Sequence, residues 1–159
     1  MSENRLAKTN RKERSVAPLR KRTADAAKRR TLDAAKKTKD VLAARRLLRK
    51  CDFVPHAIIG KPVATVARRL GHWTFSGSDD LDAFTGTAFR FQGLPIAIKH
   101  YAGHPASTAT IYIDATISDR KQIAETIDSV LAALRLPDED VRWTRYSGKG
   151  DNAGIEAAE

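Results

Sequence analysis

The stretch Thr108–Ile117, TATIYIDATI, alternates without a break: Ala109, Ile111, Ile113, Ala115 and Ile117 face one way, and Thr108, Thr110, Tyr112, Asp114 and Thr116 face the other. Successive side chains of an extended chain point to opposite faces, so a period of two predicts a strand with one buried and one wet face. A sheet of that kind needs a second layer. The following segment supplies it. From Asp119 to Leu134, Ile123, Ile127, Val130, Leu131 and Leu134 fall on one helical stripe that opens at Ser118 or Asp119 and is stopped by Pro137.

Two runs precede the deciding strand. Thr85–Gln92 (TGTAFRFQ) and Pro95–Tyr101 (PIAIKHY) flank Gly93-Leu94, a connection of hairpin length. Val141–Tyr146 (VRWTRY) reads as a further strand. Upstream, Val63, Val66 and Leu70 recur at helical spacing between Pro62, a favoured helix start, and Gly71, a left-handed stop. CDFVPHAIIG, residues 51–60, reads as a short apolar run broken by Pro55 and Gly60.

The remaining large segment is Lys21–Lys50, which lacks Pro and Gly and is rich in Ala, Leu, Lys and Arg, the strongest helix formers. The expected fold class is therefore α+β: a long basic N-terminal helix and a short helix preceding a small β-β-β-α-β two-layer domain. The expected organisation is a disordered basic tail (1–20), a basic helical arm (21–50), the α+β domain (51–146) and a flexible C-terminal tail (147–159).

Charge is divided along the same line. Residues 1–50 hold 18 Lys/Arg against 5 Asp/Glu, net +13, while residues 51–159 hold 11 against 14, net −3. Clustered cations gain by releasing counterions condensed on a polyanion, so this asymmetry points to DNA or RNA bound through phosphates, without base specificity. Within the arm, Arg22, Asp25, Arg29, Asp33, Lys36 and Asp40 alternate in sign at spacings of three and four, which predicts a self-neutralising ladder. The surplus charge, Lys21, Lys28, Arg30, Lys37 and Lys39, flanks a face of Thr and Ala and continues into Arg45, Arg46, Arg49 and Lys50. These nine residues are the expected phosphate contacts. From Val41 onward large apolar side chains become frequent, predicting that this end docks on the body.

Signals for chemistry are sparse. His100 and His104 in HYAGH, with Asp114 on the next strand, offer a three-ligand metal set for a small hydrolase if they converge. Asp79, Asp80 and Asp82 form an acidic cluster that lacks the glycine turn and terminal Glu of a calcium loop and reads as a helix start or a solvated turn. FSGS at 75–78 reads as a polar turn. VATVARRLG, Val63–Gly71, looks like the first helix and turn of helix-turn-helix DNA readers, but HWTFSGSDDLDAF after it has three aspartates where a recognition helix belongs. Phe89, Phe91, Tyr101, Tyr112, Trp143 and Tyr146 offer a base-stacking platform if several share the wet face.

Cys51 is the only cysteine, which excludes an intrachain disulfide and fits a cytosolic setting. The cations of Arg49-Lys50 beside it are expected to lower its pKa. No window is apolar enough to span a membrane, and no nucleotide-binding glycine motif occurs. The sequence therefore points to a non-enzymatic nucleic-acid-associated binding protein with no cofactor. The alternatives are a protein-interaction module, acting as an inhibitor or assembly adaptor, and the metal-dependent hydrolase.

Overall fold

The computed structural model describes residues 17–146, with side chains described from Asp25 onward. The two expected tails, in so far as they concern residues 1–16 and 147–159, lie outside the described residues, as does the side chain of Lys21. The chain divides into two compact units, 1–35 and 36–159. Helix α1, Ala17–Lys50, runs through both. Pro18 stands in its first turn, where a missing N–H costs no intrahelical bond.

The second unit contains a six-stranded sheet in which every neighbouring pair is antiparallel. Along the chain the elements are β1 Phe53–Ile59, α2 Val63–Arg69, β2 Phe75–Ser78, β3 Ala83–Phe91, β4 Leu94–Tyr101, β5 Ala109–Asp114, α3 Arg120–Leu134, a 3-10 turn Asp138–Asp140 and β6 Val141–Thr144. Their order across the sheet is β2-β3-β4-β5-β1-β6, so both edges are strands of four residues. The α+β class holds, with two strands more than the sequence pattern shows.

One of the added strands is β1. Pro55 cannot donate to a ladder, yet β1 is paired on both sides, by β5 and β6. A register shift between Pro55 and Ala57 accommodates it, the usual device for proline inside a sheet. The other is β2, whose FSGS lacks any apolar alternation. A Cβ at Gly77 would lie 2.9 Å from the Phe84 ring, so any larger residue there needs that ring to shift. The β3–β4 hairpin turns at Gln92-Gly93, one residue earlier than expected, with φ of 50° and 87°. Positive φ at both central residues matches the twist of the flanking strands.

The alternation of Thr108–Ile117 aims Ala109, Ile111 and Ile113 at α2 and α3, where they join Ile59, Ile96, Ile98, Val66, Ile127, Val130 and Leu134 in the main core. Asp119 caps α3, accepting from the backbone N–H groups of Lys121 and Gln122. The opposite face is not wet. Ala44, Leu47 and Leu48 of α1 cover it, packing on Phe84, Ala97, Tyr101 and Tyr112. Ala44, only 1% exposed, lacks the bulk to hold the helix away. The docking expected from Val41 onward thus turns a two-layer unit into one with helices on both faces.

Candidate nucleic-acid interface

Lys28, Arg30, Lys37, Lys39, Arg45, Arg46, Arg49 and Lys50 are all exposed. Among the described residues none of them forms an ion pair. Their roles divide by helix geometry. Because Ala44, Leu47 and Leu48 face the sheet, the 3.6-residue period turns Lys39, Arg46 and Lys50 outward on one stripe. Lys37 instead reaches back to the body, its Nζ 5.3 Å from the centroid of Trp73. Arg45 lies over Phe75 at 5.1 Å, and Arg45 and Arg49 together line a cleft. Lys28 and Arg30 belong to the first unit and stay on its exposed surface.

Arg22, the first rung of the ladder, has its side chain outside the described residues, and from Asp25 onward the ladder does not close. Asp25, Arg29, Asp33, Lys36 and Asp40 hold their helical spacing, but none pairs within 4.0 Å among the described residues. Exposed side chains lose rotamer entropy on pairing and gain little Coulomb energy in water, so such contacts form only weakly.

The expected three-ligand set does not assemble. Thr110 is the partner of Lys99, so β4 and β5 place Asp114 four residues along the ladder from His100's neighbour, roughly 14 Å of strand away. His100 faces the carbonyl of Thr108 at 3.0 Å, and the described residues contain no group of three ligands able to hold a metal. The stacking platform is also dispersed: Phe89, Phe91 and Tyr146 belong to the main core, while Tyr101 and Tyr112 lie beneath α1.

Asp114 has a different role. Buried at the end of β5, it accepts the backbone N–H of Thr116 and bonds the Cys51 thiol. Burial alone would raise its pKa, but these bonds, the Thr116 hydroxyl and the Arg90 charge hold it below the usual range. Cys51 is shifted the other way from expectation. Burial and the neighbouring Asp114 push the thiol up, and Arg90 offsets this only in part.

The group that the sequence pattern concealed is Asp79–Lys99–Tyr101. The Lys99 ammonium, on a residue only 8% exposed, donates to Asp79 Oδ2 at 2.7 Å and to the Tyr101 hydroxyl at 3.1 Å. Tyr101 donates to the same Asp79 oxygen at 2.7 Å, and Leu81 N–H donates to the other at 3.2 Å. Three rings, Phe84, Tyr112 and Tyr101, surround the ammonium at 4.9, 5.4 and 5.5 Å. Burial pushes the Asp79 carboxyl up, but the bonds from Lys99, Tyr101 and Leu81 and the lysine's charge bring it down to about 2. Burial and the bond to Asp79 raise Tyr101. The acidic cluster is therefore no solvated turn at Asp79. The one available signal was Lys99 itself, placed by alternation on the same face as Ala97 and Tyr101.

Compared with protein-family models, with curated proteins and with solved structures, the chain matches none. Among the described residues no helix is long and apolar enough to cross a membrane.

Proposed function

We propose that the chain is a non-enzymatic nucleic-acid-associated binding protein whose basic helix contacts phosphates without reading bases. The observation that carries this reading is the outward stripe of Lys39, Arg46 and Lys50, exposed and, among the described residues, without ion-pair partners, on a helix whose other face is packed on the sheet. Packing holds these cations in register, which suits them to a row of phosphates. Lys28 and Arg30, and Lys21 with them, extend the same chemistry along α1. The partner is DNA or RNA, and the setting is cytosolic.

Fluorescence anisotropy of the full chain with labelled duplex DNA and single-stranded RNA tests this reading. About six phosphate contacts give a loss of roughly a thousandfold in affinity between 50 and 200 mM salt. Lys39→Glu/Arg46→Glu/Lys50→Glu is expected to abolish binding. Absence of salt-sensitive affinity for either nucleic acid removes the reading.

A protein-interaction module, an inhibitor or assembly adaptor, is a second reading, resting on Leu42, which is 52% exposed on α1. Retention of a protein partner with near-zero nucleic-acid affinity favours it.

A further inference from the structure

The geometry points to the cleft between the last turns of α1 and strand β2 as a binding site for a small organic oxyanion, a phosphate or carboxylate carried on a short apolar body. It does not rest on the nucleic-acid reading. The cleft has a volume of about 260 Å³, just below the range of ordinary small-molecule sites. Phe75 and Phe84 give it an apolar side, Ser76 and Ser78 line it from β2, and Arg45 and Arg49 line it from α1.

Its charge is uncompensated. Asp79 and Lys99 also border the cleft, but they neutralise each other. The Asp79 carboxylate is further occupied by Tyr101 and Leu81, leaving it little capacity to pair with the arginines. Arg45 and Arg49 are then two like charges at i and i+4, an arrangement that destabilises a helix. Among the described residues neither guanidinium has an ion-pair or hydrogen-bond partner. The Phe75 ring under Arg45 occupies a guanidinium face and leaves its N–H edges available, the geometry in which arginine binds phosphate or carboxylate by two parallel bonds. Among the described residues β2 is also the last strand of the sheet, so its outer backbone edge meets no other described strand. Surplus positive charge, planar donors and an adjoining apolar side together select an anion with a small hydrophobic part.

Isothermal titration calorimetry on the full chain at pH 8 tests the site with phenyl phosphate, phenylacetate and the neutral control benzyl alcohol. Saturable one-site binding of at least one anion is expected, with at least tenfold weaker binding by Arg45→Ala/Arg49→Ala. The tighter of the two identifies phosphate or carboxylate as the source. Should the alanine variant be misfolded by circular dichroism, Arg45→Gln/Arg49→Gln, which keeps much of both stems, is expected to show the same loss. Lys39→Ala/Arg46→Ala/Lys50→Ala, which removes the stripe without placing new carboxylates beside Arg45 and Arg49, is expected to bind the small anion within about threefold of the unsubstituted chain, separating this site from the nucleic-acid stripe. The inference is overturned by the absence of saturable anion binding, by equal affinity in the folded double variant, or by benzyl alcohol binding as tightly as the anions.

Discussion

The two faces of the sheet are built from the same strands but hold together by different means. Toward α2 and α3 the strands present Ile59, Ile96, Ile98, Ile111 and Ile113, all fully buried and aliphatic. Toward α1 they present Phe84, Lys99, Tyr101, Tyr112 and Asp114, rings and charges among which the Lys99 ammonium, the Tyr101 hydroxyl and the Asp114 carboxylate are hydrogen-bonded. The first face draws on non-directional apolar burial, whereas the second depends on a particular network. Stability should therefore respond to volume on one side and to pairing on the other.

The largest expected effect is on the aliphatic face. Ile111→Ala should destabilise by about 4 kcal/mol, because a fully buried side chain leaves a cavity between sheet and helices, and urea denaturation measures it. On the other face the sign of the change matters more than its size. Asp79→Ala should cost about 3 kcal/mol, since it strands a buried ammonium. Lys99→Met should cost less, because Asp79, with 30% of its side chain exposed, can regain water. If the two substitutions cost the same, the network is worth no more than its packing.

A smaller effect follows from acid. Asp79 has its folded pKa lowered to about 2, so its contribution is fully present above its unfolded value of about 4 and is lost as pH falls through the folded one. Melting temperature should decline between about pH 4 and pH 2, and Asp79→Asn should flatten that part of the profile. The smallest change is expected at Lys37→Ala, about 0.5–1 kcal/mol for an exposed cation over Trp73. A larger loss there would mean that the helix is seated mainly by this contact rather than by Ala44, Leu47 and Leu48.

What could be read in advance follows the same division. Strands β3, β4 and β5 and helix α3 were legible because Ile111 and Ile113, or Ile123 and Ile127, repeat at the period of their element. Strand β1 was hidden by Pro55, whose bulge is a property of the paired strands and not of the local sequence. Strand β2 was hidden because FSGS owes its extended form to pairing with β3. The cations were legible individually, but their separation into an outward stripe, a Trp73 contact and a cleft wall depends on how α1 is rotated on the sheet. Asp79 and Lys99 are twenty positions apart and meet only through pairing of β2 with β3 and β3 with β4.

The two four-residue edge strands also bear on how this molecule behaves among copies of itself. An outer strand is a template on which another chain can polymerise, and a long regular one invites fibres. Here β2 and β6 offer only short templates, and β2 carries Gly77 and two serines, residues of low strand propensity. The cost is a weak margin that is easily improved: Ser76→Val/Ser78→Val would firm the strand, and by doing so would make a chain more prone to aggregate at high concentration. The polar irregularity that made β2 hard to recognise is thus also a brake on self-assembly.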